Sequence, residues 1–112
     1  MTQAVLDKAL LDDLVKAIVE AVHPEKIVLF GSWARGDARP ESDFDLFLQV
    51  ESGGDTRAAV KAAYRAVAAM PGRLHRGIDI VVHDRAFVER YGDIIGTIVR
   101  PVLREGKVLY ER

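Results

Sequence analysis

The sequence predicts a mixed α/β (α+β) domain: a small sheet of three to four strands with its helices packed mainly on one face. Three observations carry that expectation. Apolar residues recur at helical spacing over residues 2–22 and again over 59–70. Residues 27–30, 43–50 and 77–83 form short runs rich in β-branched and aromatic side chains, as strands require. The chain of 112 residues, 49% hydrophobic and 29% charged, is long enough for one core but too short for two, so a single domain spanning 1–112 is expected.

Taken in order, residues 2–22 read as an amphipathic helix. Leu10, Leu11, Leu14, Val15, Ile18 and Val22 face the core, and Asp7, Asp12, Asp13 and Lys16 face water. Pro24 ends it, with His23 just past the last turn. The run 27–30 is the first strand, and it stops at Gly31-Ser32. Residues 32–37 suit a short helix, followed by a loop through Arg39 and Pro40. Trp33 is open to two readings, a packing residue or a platform for a stacked base. The second strand covers 43–50, and Gly53-Gly54 makes the next turn. Asp55 or Thr56 is placed to cap a helix striped by Ala59, Val60, Ala63, Tyr64, Val67 and Met70, which Pro71-Gly72 should stop. Arg57, Lys61 and Arg65 line its polar side. The third strand covers 77–83. Asp84 is an N-cap for a helix through Arg90, and a further helix is expected from Asp93, with Ile94, Ile95, Ile98 and Val99 buried and Pro101 kinking or shortening it. Gly106 should cap that helix before a short strand at 107–110.

Composition narrows the function classes. Sixteen basic and seventeen acidic residues nearly cancel, so no global positive field draws the chain to nucleic acid, and direct nucleic-acid binding is not expected. There is no cysteine, which removes disulfides and thiolate metal sites. No apolar run approaches the roughly 20 residues of a membrane span, and the N-terminus does not read as a signal peptide. A cytoplasmic protein without membrane attachment is the expectation.

The chemistry concentrates between residues 26 and 50. Glycine at 31 allows close backbone approach to a ligand, and Ser32 adds a hydroxyl beside the free N–H groups of the following turn, which suit phosphate. Strand alternation puts Phe44, Leu46, Leu48 and Val50 on one apolar face, and Asp43 and Asp45 together on the other. Two like charges so placed repel and raise each other's pKa unless a cation sits between them. A hard divalent ion with oxygen ligands, above all Mg²⁺, answers that need. Asp79 lies inside an otherwise apolar strand and also needs a partner. That partner is either an arginine, in a structural role, or a cation shared with Asp43 and Asp45. Each feature alone is compatible with an ordinary turn or polar face, and only their order along the chain singles them out.

GSWARG at 31–36, SDFDLFL at 42–48 and GIDIVV at 77–82 together resemble the DNA polymerase β-like nucleotidyltransferases. The size, and the ending REGKVLYE, resemble the minimal nucleotidyltransferases that serve as antitoxins in HEPN/minimal-nucleotidyltransferase toxin–antitoxin pairs. The resemblance implies that Gly31 and Ser32 hold the triphosphate of ATP, with Arg35 in a loop that is often basic. It implies that Asp43 and Asp45 bind two Mg²⁺ ions, and that Asp79 completes the second metal site and helps to deprotonate the attacking hydroxyl. Two-metal stabilisation of an in-line displacement is consistent with three carboxylates on adjacent strands.

Relatives that modify small molecules or extend RNA usually carry an added acceptor-binding domain, for which this chain leaves no room. The resemblance therefore implies a protein acceptor: a tyrosine hydroxyl on a HEPN ribonuclease toxin, silenced by AMP. Two other readings stay in play. One is an antitoxin that neutralises its toxin by complex formation alone, and the other a small-molecule nucleotidyltransferase. A homo- or hetero-oligomer fits any of the three.

Overall fold

The computed structural model describes residues 5–71 and 77–112. Its elements are α1 (Lys8–Val22), β1 (Lys26–Phe30), α2 (Ser32–Arg35), β2 (Phe44–Val50), α3 (Thr56–Ala68), β3 (Ile78–Asp84), α4 (Arg85–Tyr91), α5 (Val99–Glu105) and β4 (Lys107–Glu111). The four strands form one sheet in the order β3-β2-β1-β4. β1 pairs antiparallel with both β2 and β4, whereas β2 and β3 run parallel, because α3 carries the chain back across the sheet.

The fold class is the one the sequence predicts. Leu11, Leu14 and Ile18 of α1 and Ala63 and Val67 of α3 pack on one sheet face, against Ile27, Leu29, Leu46, Leu48, Ile80 and Val82. Each fully buried aliphatic side chain there contributes about 1.5–3 kcal/mol. The two long helices thus share one face. The short α4 and α5 lie on the other, over a smaller core of Val28, Phe47, Val88, Val99 and Val102. That second core depends on Phe47, which interrupts the otherwise polar side of β2 and is only 2% exposed.

Helix ends follow their capping chemistry. Asp7 accepts from the Leu10 N–H, so it caps α1 instead of lying on its polar side, and the helix begins at Lys8. Residues 2–4 of the expected helix lie outside the described residues. His23 ends α1 in a left-handed conformation at φ 52°, its N–H bonded to the Val19 carbonyl. Asp55 and Asp84 cap α3 and α4 through the N–H groups of Ala58 and Phe87. α3 ends at Ala68, ahead of Pro71, and Gly72 lies outside the described residues.

The segment after α4 departs from the expectation. Residues 93–98 are turns, and Ile94, Ile95 and Ile98 are 47%, 78% and 38% exposed instead of buried. Helix resumes only at Val99, which puts Pro101 in the first turn, where its missing N–H costs nothing. Apolar spacing cannot by itself tell a buried helix from an exposed turn, and here the Thr97 hydroxyl bonds the carbonyls of Tyr91 and Ile94. Gly106 ends α5 with extended backbone, and a Cβ there would strike the Val102 carbonyl and the Val28 side chain. The close return of β4 against β1 needs that missing methyl.

Candidate active site

β1 delivers the chain to Gly31 at the end of the sheet where β2 begins. Gly31 has φ 75° and ψ −153°, a conformation open essentially to glycine alone. A Cβ there would fall on the Asp45 carboxylate, so glycine is required by backbone and by space. The Gly31 carbonyl accepts from the N–H groups of Ala34 and Arg35 at 3.1 and 3.0 Å, which starts α2 at Ser32. Trp33 resolves to the packing reading. It is buried, its ring lies 5.5 Å from that of Phe44, and its Nε1–H donates to the Ser42 carbonyl at 2.8 Å. Ser42 Oγ in turn accepts from the Arg39 N–H, so this loop is fastened just before the aspartates.

Asp45 stands opposite Phe30 on β1 and in register with Asp79 on parallel β3. Ile78, Ile80 and Val82 turn towards the helical core, so Asp79 shares the face of Asp45. The two carboxyl groups are close enough to act on each other electrostatically. Burial pushes the Asp45 carboxyl above the usual carboxylate range; the charges of Asp79 and Asp43 push the same way, against the Arg35 guanidinium. A carboxyl raised by two like-charged neighbours is stabilised by a proton or by a nearby cation.

Asp43 behaves differently. Its Oδ1 accepts from the Gly77 N–H at 3.1 Å, while the Phe44 N–H reaches the Gly77 carbonyl, also at 3.1 Å. Among the described residues no group of three acidic or histidine side chains stands together in metal-binding geometry. Three carboxylates without a cation repel, and the Gly77 N–H offers Asp43 a partner that neither neighbour can. The oxygen-only donors of Asp45 and Asp79 fit a hard divalent ion, with Asp43 close enough to act on Asp45 electrostatically.

Arg35 ends α2 beside this group. It bonds Asp37 Oδ2 at 3.4 Å and stands 3.8 Å from Glu105 Oε2, so α5 is tied to the edge of the site. Gly77 and Glu105 are participants that sequence reading did not single out. A glycine opening a strand beside an acidic residue is a signal of close approach, but Glu105 carries none. His23, by contrast, ends α1 beside Val50, Glu51 and Arg112, away from these carboxylates.

A glycine-serine turn thus faces paired carboxylates across adjacent strands of a mixed sheet. The chain belongs to the Nucleotidyltransferase domain family, which matches residues 11–104. No curated protein matches the sequence closely. Among solved structures, it is similar to a toxin–antitoxin with AMP-PNP, at 21% identity and TM-score 0.61, covering 90% of this chain and 73% of that one. It is also similar to a candidate nucleotidyltransferase from Sulfolobus solfataricus, at 20% identity and TM-score 0.55, covering 96% and 91%. A mutant of the toxin–antitoxin MntA-HpeT follows at 20% identity and TM-score 0.51, covering 96% and 74%. At such identities the likeness establishes the fold.

Proposed function

We propose that this protein is a metal-dependent adenylyltransferase that acts as an antitoxin, moving AMP from ATP to a tyrosine hydroxyl of a HEPN ribonuclease toxin. The observation that carries the reading is the in-register pair Asp45 and Asp79, set beside the Gly31-Ser32 turn. Membership in the nucleotidyltransferase family supports the reaction type. The toxin–antitoxin neighbours, one crystallised with AMP-PNP, support the partner and the nucleotide.

In this reading the acceptor oxygen bonds to the α-phosphorus, the bond from that phosphorus to the pyrophosphate oxygen breaks, and the hydroxyl proton leaves towards Asp79. Mg²⁺, when bound, neutralises the triphosphate and the oxygens on which charge develops. Asp45 and Asp79 hold it, Asp43 adds a third carboxylate, Gly31 and Ser32 bring backbone N–H and hydroxyl to the phosphates, and Arg35 offers a cation. The chain's contribution is positioning and charge.

The test is intact-mass spectrometry of the cognate toxin after incubation with this protein, ATP and Mg²⁺. A gain of one or more AMP units, abolished by Asp79→Asn while ATP binding persists, is expected, because loss of a group acting chiefly in the transition state lowers turnover more than binding. Neutralisation at unchanged toxin mass, with Asp79→Asn protecting equally well, would establish inhibition by complex formation instead.

A further inference from the structure

We infer that Gly77 is the positioning residue for the Asp43 carboxylate, and that its missing side chain is what lets Asp43 serve the metal. The inference rests on the nucleotidyl-transfer reading above and extends it to a residue outside the acidic set. A Cβ built on Gly77 would lie 2.7 Å from Asp43 Oδ1, 2.9 Å from its Cγ and 3.1 Å from Oδ2. Its three nearest neighbours would all be atoms of that carboxyl group, the mobile end of a side chain. The absent methyl at residue 77 leaves room for the carboxylate where it now stands.

Two further bonds make Gly77 a cradle for Asp43. Its N–H donates to Asp43 Oδ1, and its carbonyl accepts from the N–H of the next residue, Phe44. The start of β2 and the entry to β3 are clasped at this point, with the Asp43 side chain taking part. With Oδ1 held by the Gly77 N–H, Oδ2 remains available as a ligand. Metal-ligating carboxylates are commonly oriented by such an outer hydrogen bond, and its loss typically weakens metal affinity by roughly 10–100-fold. A methyl at residue 77 would displace the carboxylate while leaving its charge and the surrounding core in place.

The experiment measures Mn²⁺ binding to the metal-free protein by electron paramagnetic resonance of the free ion, with no nucleotide and no acceptor. Wild type, Gly77→Ala, Asp43→Ala and the double variant are compared, each with a thermal melt in EDTA. Gly77→Ala should weaken Mn²⁺ binding roughly tenfold or more, with its melting temperature in EDTA close to wild type. In the Asp43→Ala background the added methyl meets no carboxylate, so the double variant should bind as Asp43→Ala alone does.

Wild-type affinity in Gly77→Ala, or the same fold-loss in both backgrounds, would overturn the inference while leaving the transferase reading intact. If Gly77→Ala melts low, recovery of the wild-type melt in the double variant supports the clash with Asp43, and no recovery refutes it. Absence of Mn²⁺ binding by wild type without nucleotide would overturn this inference, while the transferase reading is decided by the mass measurement on the toxin.

Discussion

Asp45→Asn separates charge from shape at the centre of the site. Neighbouring strands lie about 4.8 Å apart, and two unit charges near 5 Å repel by about 0.8 kcal/mol in water and about 3 kcal/mol at an effective dielectric of 20. Asp79 is exposed and Asp45 only partly buried, so solvent screening favours the lower end. Asparagine keeps the size of Asp45 and can donate to Asp79. Without metal the variant should be more stable than wild type by about 1 kcal/mol, a rise of roughly 4 °C in melting temperature for a domain of this size. With Mg²⁺ and ATP the order should reverse. Ligand at a hundred times its Kd stabilises by about 2.7 kcal/mol, and only wild type should gain it. Paired thermal melts in EDTA and in Mg²⁺-ATP measure both effects. A variant that melts below wild type in EDTA would refute the stored repulsion, and one that keeps the full ligand shift would place the nucleotide elsewhere.

The same carboxyl sets a pH dependence. Because folding raises the Asp45 pKa above the ordinary 3.8, its contribution is complete below that value and lost as pH rises through the folded one, so mild acid should stabilise metal-free wild type relative to Asp45→Asn. Asp84 has the opposite sign: the N–H groups of Gly53 and Phe87 hold its pKa below 3.8, so its contribution is present above 3.8 and lost as pH falls through the folded value. Acid titration of melting temperature for wild type and Asp84→Asn should show the difference between them closing there. Gly31→Ala should lose the Mg²⁺-ATP shift and be destabilised by about 1–3 kcal/mol, the usual cost of a forced backbone conformation, measured by urea denaturation. Phe47→Ala should cost about 3–5 kcal/mol in the same assay by emptying the smaller core, whereas Ile95→Ser, at a side chain 78% exposed, should change stability by less than about 0.5 kcal/mol.

How legible each part was in the sequence follows from how local its cause is. Period-two alternation in β2 and β3 was enough to put Asp45 and Asp79 on the face away from the long helices, because a strand has only two faces. Asp55 and Asp84 announced their helices because a cap acts on N–H groups three residues away. Phe47 was harder to read, since its burial depends on α4 and α5 arriving from much later in the chain. Ile94, Ile95 and Ile98 carried a helical spacing that the turn through Thr97 overrode. The bond from Gly77 to Asp43 joins residues far apart in sequence and leaves no periodic trace.

Parallel pairing of β2 with β3 also links chemistry to the order in which the chain folds. The strands are joined through α3, so the acidic pair exists only after a long loop has closed, a slow class of event for a small domain. A slip of one residue in that pairing would turn Asp79 into the apolar layer beneath α1 and α3, and push Ile80 and Val82 into water. Such a slip is penalised by burial at every position at once. A molecule that holds the wrong pairing would also hold no paired carboxylates, so on the transferase reading a misfolded copy would be silent instead of aberrantly active.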